Sequence, residues 1–314
     1  MNKSIIKVSV VIPAYNSGKS LPRAIDSCIQ QELRDIEIVI IDDGSTDNTK
    51  NIVDEISDDR VRYHYKINEG VGKARNIGID ISQGQYIYFL DSDDYLAKDA
   101  LRLMYELSEG ADLVLSGYEL RNANHSFKIL PSLDKDLSLL DNYYMDYIIS
   151  SPWAKLFDSK IIKSNNIKFT DLKIMEDSIF NIEYIKCCNT YDVVYEALYI
   201  YDKSSDGCSS FLNDEKYSAV LQSLDIQKKL YIKDEFKVSK SKNDIIESRQ
   251  FKFTVMYPLS IGYYNIKRGG GSKYLFNNKV KLSDKVLFLS FSLNVELYKA
   301  VKELFNLIKF RFSI

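Results

Sequence analysis

Apolar and polar positions alternate in blocks along the first 120 residues. "VSVVI" (8–12) is a β-branched run closed by Pro13, which predicts a buried strand. Over 18–31 the positions Leu21, Ala24, Ile25, Cys28 and Ile29 recur at helical spacing. The alternation continues with "IEIVIID" (36–42) as strand, 47–57 as helix, "VRYHYK" (61–66) as strand and 71–82 as helix. It ends with "QYIYFL" (85–90) as strand, 98–107 as helix and "ADLVLSGYEL" (111–120) as strand. Short links between alternating elements predict a mostly parallel central sheet flanked by helices. In such sheets ligands bind beyond the carboxyl ends of the strands. Those ends carry Pro13-Ala14-Tyr15-Asn16, Asp42-Asp43-Gly44-Ser45 and Asp91-Ser92-Asp93-Asp94.

Regularity fades after residue 120. We expect three regions: 1–120, a ligand-binding α/β half; 121–215, a second half of the same domain with short mixed elements; and 216–314, a helical C-terminal extension. "KRGGGSK" (267–273) reads as a hinge. No internal repeat interrupts the pattern.

Composition narrows the class. An apolar fraction of 45% and a charged fraction of 27% are those of a globular protein. A net charge of -2 gives no basis for nucleic-acid binding. Four cysteines without a C-x-x-C pair, and two distant histidines, disfavour a zinc site or disulfide framework and suggest a reducing cytoplasm. The N-terminal apolar run is broken by Lys7 and Ser9 and ends at Pro13, so it reads as a strand rather than a signal peptide. No stretch reads as a membrane span.

"SGKS" (17–20) imitates the end of a phosphate-binding loop, but the required glycine position is Pro13. Ser17 as a helix cap explains the stretch. Neither G-x-G-x-x-G nor G-x-S-x-G is present. "IDDGSTD" (41–47) alone is an ordinary turn and cap. "DSDD" (91–94) is different, because it ends an interior-type strand, where bare carboxylates are costly. A hard divalent cation, Mg²⁺ or Mn²⁺, would remove that cost.

Taken together, "VSVVIPAYNSGKSLPRAIDSCIQQ", "IEIVIIDDGSTDNT", "NEGVGKARNIGI" and "GQYIYFLDSDDYL" resemble family 2 glycosyltransferases, inverting enzymes of the nucleotide-sugar-binding GT-A fold. "SPWAKLF" (151–157) and "MEDSIFN" (175–181) extend the resemblance to about residue 205. The resemblance implies that Pro13, Ala14, Tyr15 and Asn16 contact the nucleotide base, and that Asp43, with Asp42 beside it, meets uracil or ribose. Asn68 and Arg75 would help hold base and ribose. Asp91-Ser92-Asp93 corresponds to the family's metal-binding D-x-D, with Asp93 on the metal and Asp91 on metal or ribose. Asp177 would be the base that deprotonates the acceptor, with Glu176 its neighbour. Without the resemblance, Asp177 reads as a helix cap and Trp153 as a core aromatic. With it, Trp153 lines the sugar pocket. Where the family often has Arg or His near the diphosphate this chain has Lys203, a point charge at best.

The implied reaction moves a hexose from a nucleoside-diphosphate sugar such as UDP-Gal, UDP-Glc or UDP-GlcNAc to a glycan hydroxyl. Members that build bacterial surface polysaccharide often use lipid-linked acceptors, on the inner face of the cell membrane. In 285–310, Val286, Leu289, Leu293, Leu297, Val301, Leu304 and Ile308 recur at helical spacing with Lys285, Lys299, Lys302, Lys309 and Arg311 among them. That pattern fits peripheral membrane contact or packing on the domain or a second subunit, as in a homodimer. The competing readings are a nucleotidyltransferase or nucleotide-sugar-binding regulator, which would share the sheet and the acids but not the base, and a tethered, inactive scaffold.

Overall fold

The computed structural model describes residues 5–122, 125–145, 150–203, 214–232, 240–251 and 253. The chain divides into two compact units, Met1–Ser209 and Ser210–Ile314. The first unit contains, in order, β1 (Val8–Ala14), α1 (Leu21–Ile29), β2 (Ile36–Asp42), α2 (Thr49–Asp54), β3 (Val61–Tyr65), α3 (Val71–Ile81), β4 (Tyr86–Phe89) and β5 (Tyr95–Leu96). It continues with α4 (Ala100–Glu106), β6 (Leu113–Arg121), β7 (Ser126–Ile129), α5 (Leu139–Tyr144), β8 (Lys155–Asp158), α6 (Ser159–Ser164), α7 (Glu176–Cys187) and β9 (Tyr191–Asp202). In the second unit the described helices are α8 (Asp214–Ile232) and α9 (Lys240–Phe251).

The strands form one sheet in the order β3-β2-β1-β4-β8-β6-β9-β5, with β7 paired to β6. The parallel arrangement expected from the alternation holds for β3-β2-β1-β4. From β8 onward the sheet is mixed: β8 runs antiparallel to both β4 and β6, while β6 and β9 are parallel. Antiparallel neighbours need no crossover helix, which is why the strand-helix rhythm stops being readable there. Every residue of β1 and β2 is buried, as near-continuous apolar runs require in a sheet covered on both faces. Helix α3 lies close on β1: a side chain at Gly78 would come within 2.3 Å of Val11.

The strand order reverses at β1, which pairs with β2 on one side and β4 on the other. The segments following β1, β2 and β4 therefore emerge at a topological switch point. A phenylalanine cluster seats α7 beneath that edge. Phe169 stacks on Phe180 at 4.1 Å, and Phe89 meets Phe157, Phe169 and Phe180 edge-on.

Helix α1 begins later than the 18–31 periodicity predicts. Its N-cap is Ser20, without a side-chain cap bond, and a proline lies in its first turn, where the missing N–H costs nothing. Ser17 is thus not the cap. Its hydroxyl instead pairs with Ser92 at 2.8 Å, tying the β1 end to the β4 end. The amide of Gly18 donates to Asp47 and that of Ser17 to Thr49, so neither is free to cradle phosphate. No described helix is long and apolar enough to cross a membrane. The hinge at 267–273 and the 285–310 periodicity lie outside the described residues.

Candidate active site

Pro13 and Ala14 close β1 beside Ile41 and Asp42 of β2. Tyr15 follows, half exposed at 53%, and Asn16 takes a left-handed backbone, φ 50°. That turn is fastened to the β2 end. The Asn16 amide donates to Ser45 Oγ and its side-chain oxygen accepts from Thr46 N, both at 2.8 Å.

Asp42 and Asp43 are buried and fully engaged. Asp42 accepts from Ser45 N and the Tyr63 hydroxyl. Asp43 accepts from Lys66 Nζ at 2.6 Å, Glu69 N at 2.9 Å and Gly70 N at 2.7 Å. It therefore organises the loop that carries exposed Asn68. Gly44, at φ 82°, is needed there: a side chain would stand 2.7 Å from Asn68 N.

Arg75 stands on α3 with its side chain 7% exposed. Its Nη2 donates to Asp91 at 2.8 Å and its Nη1 to Glu176 at 3.2 Å, over the Phe169 ring. One guanidinium thus joins the acidic turn after β4 to the first turn of α7. The two acids of α7, Glu176 and Asp177, follow Met175, a non-glycine residue at φ 62°. Left-handed, non-glycine backbone costs about 1–3 kcal/mol and concentrates at functional sites. Asn16, Ala154, Asn166 and Met175 adopt it, and all but Asn166 lie inside a segment singled out in the sequence.

The electrostatics are lopsided. Burial first, and the charge of Glu176 second, push the Asp177 carboxyl up to about 7 against the pull of Arg75. Lys155, fully buried on β8, is pushed down to about 7 by burial, with Asp177 opposing. Its ammonium donates to Ser151 O at 2.7 Å. Asn181, one turn along α7, donates to both Asp177 O and Ser150 O, so the 150–151 backbone is fastened to the helix start.

The acidic turn separates into three roles. Asp91 is partnered by Arg75. Asp94 is 1% exposed, and burial raises its carboxyl to about 8. Asp93 is half-buried, and burial followed by the charge of Asp91 raises it above the ordinary carboxylate range. No side chain among the described residues donates to the Asp93 carboxylate. Asp93 and Asp91 are hard oxygen donors that suit Mg²⁺ or Mn²⁺. Among the described residues no group of three or more His, Cys, Asp or Glu is arranged to hold a metal.

Trp153 is buried at 4% exposure, stacked on Tyr199 at 4.3 Å and edge-on to Tyr118 at 5.0 Å. Lys203 lies just past β9, its amide donating to Arg121 O and its ammonium 5.4 Å from the Tyr201 ring. The sequence reading passed over Arg23, Asp94, Lys155, Tyr199 and Asp202. Arg23, inside "VSVVIPAYNSGKSLPRAIDSCIQQ", Lys155, inside "SPWAKLF", and Asp94, inside "DSDD", lay in quoted motifs without being given a role.

The model of the glycosyl transferase family 2 matches residues 9–166. Poly(ribitol-phosphate) beta-N-acetylglucosaminyltransferase TarP of Staphylococcus aureus (strain N315) is 28% identical over 321 residues, covering 96% of this chain and 93% of TarP. The uncharacterized glycosyltransferase EpsJ of Bacillus subtilis (strain 168) is 30% identical over 207 residues, 62% of this chain; the chain spans 60% of EpsJ. Among solved structures, S. aureus TarS 1–349 in complex with UDP-GlcNAc superposes with a TM-score of 0.65 at 21% identity, covering 96% of this chain and 91% of that one. That likeness shows the α/β GT-A-type fold expected from the motifs.

Proposed function

The chain belongs to glycosyltransferase family 2, and on that premise we propose that it is a metal-dependent inverting hexosyltransferase. It would take the sugar of a nucleoside diphosphate, a UDP-hexose or UDP-N-acetylhexosamine, and place it on a hydroxyl of a bacterial surface glycan. The observation that carries this reading is the Arg75 bridge, which puts the acids of the β4 end and those of the α7 start in one site. A nucleotidyltransferase would need the first set of acids and not the second.

The chain's residues divide the work. Tyr15 offers an exposed ring face, and the turn Pro13–Asn16 offers backbone groups, to the nucleotide base. Asp43 acts by shaping the 66–70 loop, which presents Asn68, and Asp42 braces the turn beside it. Asp91 and Asp93 would hold the divalent cation. Bound there, the cation offsets the charge that develops on the diphosphate leaving group, a contribution of several kcal/mol. Arg75 compensates Asp91 and Glu176. Lys203 adds a point charge near the end of β9. Trp153 supports the sugar pocket from within the aromatic stack rather than by an open face.

Asp177 takes the acceptor proton as the acceptor oxygen attacks the anomeric carbon from the side opposite the leaving diphosphate. The C–O bond to the diphosphate breaks, its electron pair leaves with the phosphate, and an α-linked donor gives a β-linked product. A raised proton affinity suits a group that must accept a proton near neutral pH. The test is two panels with Mn²⁺: nucleotide sugars with a glycan acceptor, and nucleoside triphosphates with sugar 1-phosphates. Release of free nucleoside diphosphate in the first supports glycosyl transfer, whereas release of pyrophosphate in the second supports the nucleotidyltransferase alternative.

The surface-glycan assignment draws on the activities of relatives such as TarP, a poly(ribitol-phosphate) beta-N-acetylglucosaminyltransferase. A lipid-linked acceptor would place the enzyme on the inner face of the membrane, and the 285–310 segment is the candidate contact, with subunit packing the alternative. Loss of co-sedimentation with anionic vesicles on truncation at Gly269 supports the membrane reading; unchanged co-sedimentation refutes it.

A further inference from the structure

The three acids after β4 pose a mechanical problem. A carboxylate without a side-chain donor must still be held at one place, and Asp93, to whose carboxylate none of the described side chains donates, is in that position. The main chain around it, however, is held from both sides by the end of β9. On one side, Arg23 of α1 donates from Nη2 to Asp93 O at 2.6 Å and forms an ion pair with the buried Asp202. The guanidinium also lies over the Tyr95 ring, 4.6 Å from its centroid. On the other side, both oxygens of Asp94 are engaged: one accepts from Asp202 N at 2.9 Å, the other from the Tyr199 hydroxyl. The same hydroxyl accepts from Asp91 N at 3.3 Å, and its ring is fixed by the stack on Trp153. The contacts close a ring: Asp91, Tyr199, Asp94, Asp202, Arg23, Asp93.

We propose that Arg23 and Asp202 are positioning residues of the cation site, fixing the Asp93 backbone so that its carboxylate is presented without a side-chain donor of its own. This rests on the reading that a divalent cation binds at Asp93. Asp94 accordingly serves as the anchor of the turn, not as a ligand, which accounts for the third acid of "DSDD". The arrangement resembles the outer shell of a metal centre, where a partner that orients a ligand typically changes metal affinity by about 10- to 100-fold when removed.

The test is Mn²⁺ affinity in the presence of UDP, read from the electron paramagnetic resonance of free Mn²⁺, for the full chain. Arg23→Met keeps the length and the contact with Tyr95 but removes the charge and the donors. Asp202→Asn keeps the amide that serves Asp94 but weakens the hold on Arg23. Each is expected to weaken Mn²⁺ binding of the folded protein at least about 10-fold, with metal-free UDP binding unaffected; Arg23→Met, which takes a cation from the buried Asp202, is also expected to lower the melting temperature. Arg121→Met, whose guanidinium also lies over the Tyr95 ring, 5.6 Å from its centroid, serves as the control and should leave Mn²⁺ affinity as in the wild type. Wild-type Mn²⁺ affinity in folded Arg23→Met and Asp202→Asn overturns the positioning role while leaving the metal reading intact. A wild-type protein that binds no Mn²⁺ with UDP overturns both. If Arg23→Met does not fold, Asp202→Asn alone decides.

Discussion

The guanidinium of Arg75 stands 3.2 Å from the carboxylate of Glu176, although 101 residues separate them. Asp91 shares the same cation. Removing one partner of a buried charge cluster leaves the others uncompensated, at about 3–5 kcal/mol. Arg75→Met should therefore lower the denaturant midpoint of the first unit strongly. Glu176→Gln should cost less, because Asp91 still holds Arg75. Chemical denaturation of the two variants checks the order.

The site was legible in the sequence where local chemistry announces itself. The strand ends after β1, β2 and β4 could be placed because continuous apolar runs stop at turn residues, and a parallel sheet delivers such ends to one edge. The first four strands followed from that rhythm, and the α7 acids from their motif. What the sequence did not show are long-range partners. Arg23 and Asp202 are 179 residues apart, and neither lies in a signal of its own. Ser17 looked like a cap because a serine before a helix usually is one; its pairing with Ser92 depends on strand order. Asp43 and Arg75 read as ligand contacts through the resemblance alone; the protein partners each also has, Lys66, Glu69 and Gly70 for Asp43, Asp91 and Glu176 for Arg75, depend on the fold.

The metal assignment predicts that Asp93→Ala keeps its fold and loses Mn²⁺-dependent turnover, and that a chelator does the same to the wild type. Thermal-shift measurements with UDP and Mn²⁺ read binding directly, since a ligand that binds only the folded state raises the apparent stability. Full turnover in excess EDTA would falsify the metal role.

Protonation of Asp177 gives a pH dependence with a definite sign. The base must be ionised, so kcat/KM should rise with pH through an apparent pKa near 7 and flatten above it. Stability runs the other way. The folded protein holds this proton to higher pH than the unfolded chain, so stability falls as pH rises from about 4, the usual carboxylate value, through about 7. Asp177→Asn removes that loss. Relative to the wild type it should be more stable at pH 8 than at pH 5, measured by thermal melting at both.

The most direct test of the account is Asp177→Asn, assayed for donor affinity and for release of nucleoside diphosphate in the same preparation. Asparagine keeps the size and an acceptor for the Ser178 amide, which donates to Asp177 at 2.7 Å, but cannot take the acceptor proton. The account predicts a folded variant that binds donor and Mn²⁺ like the wild type and turns over roughly 100-fold or more slowly, the usual scale of general-base catalysis. A folded variant with wild-type turnover would contradict it, and the base would have to be sought elsewhere in the site.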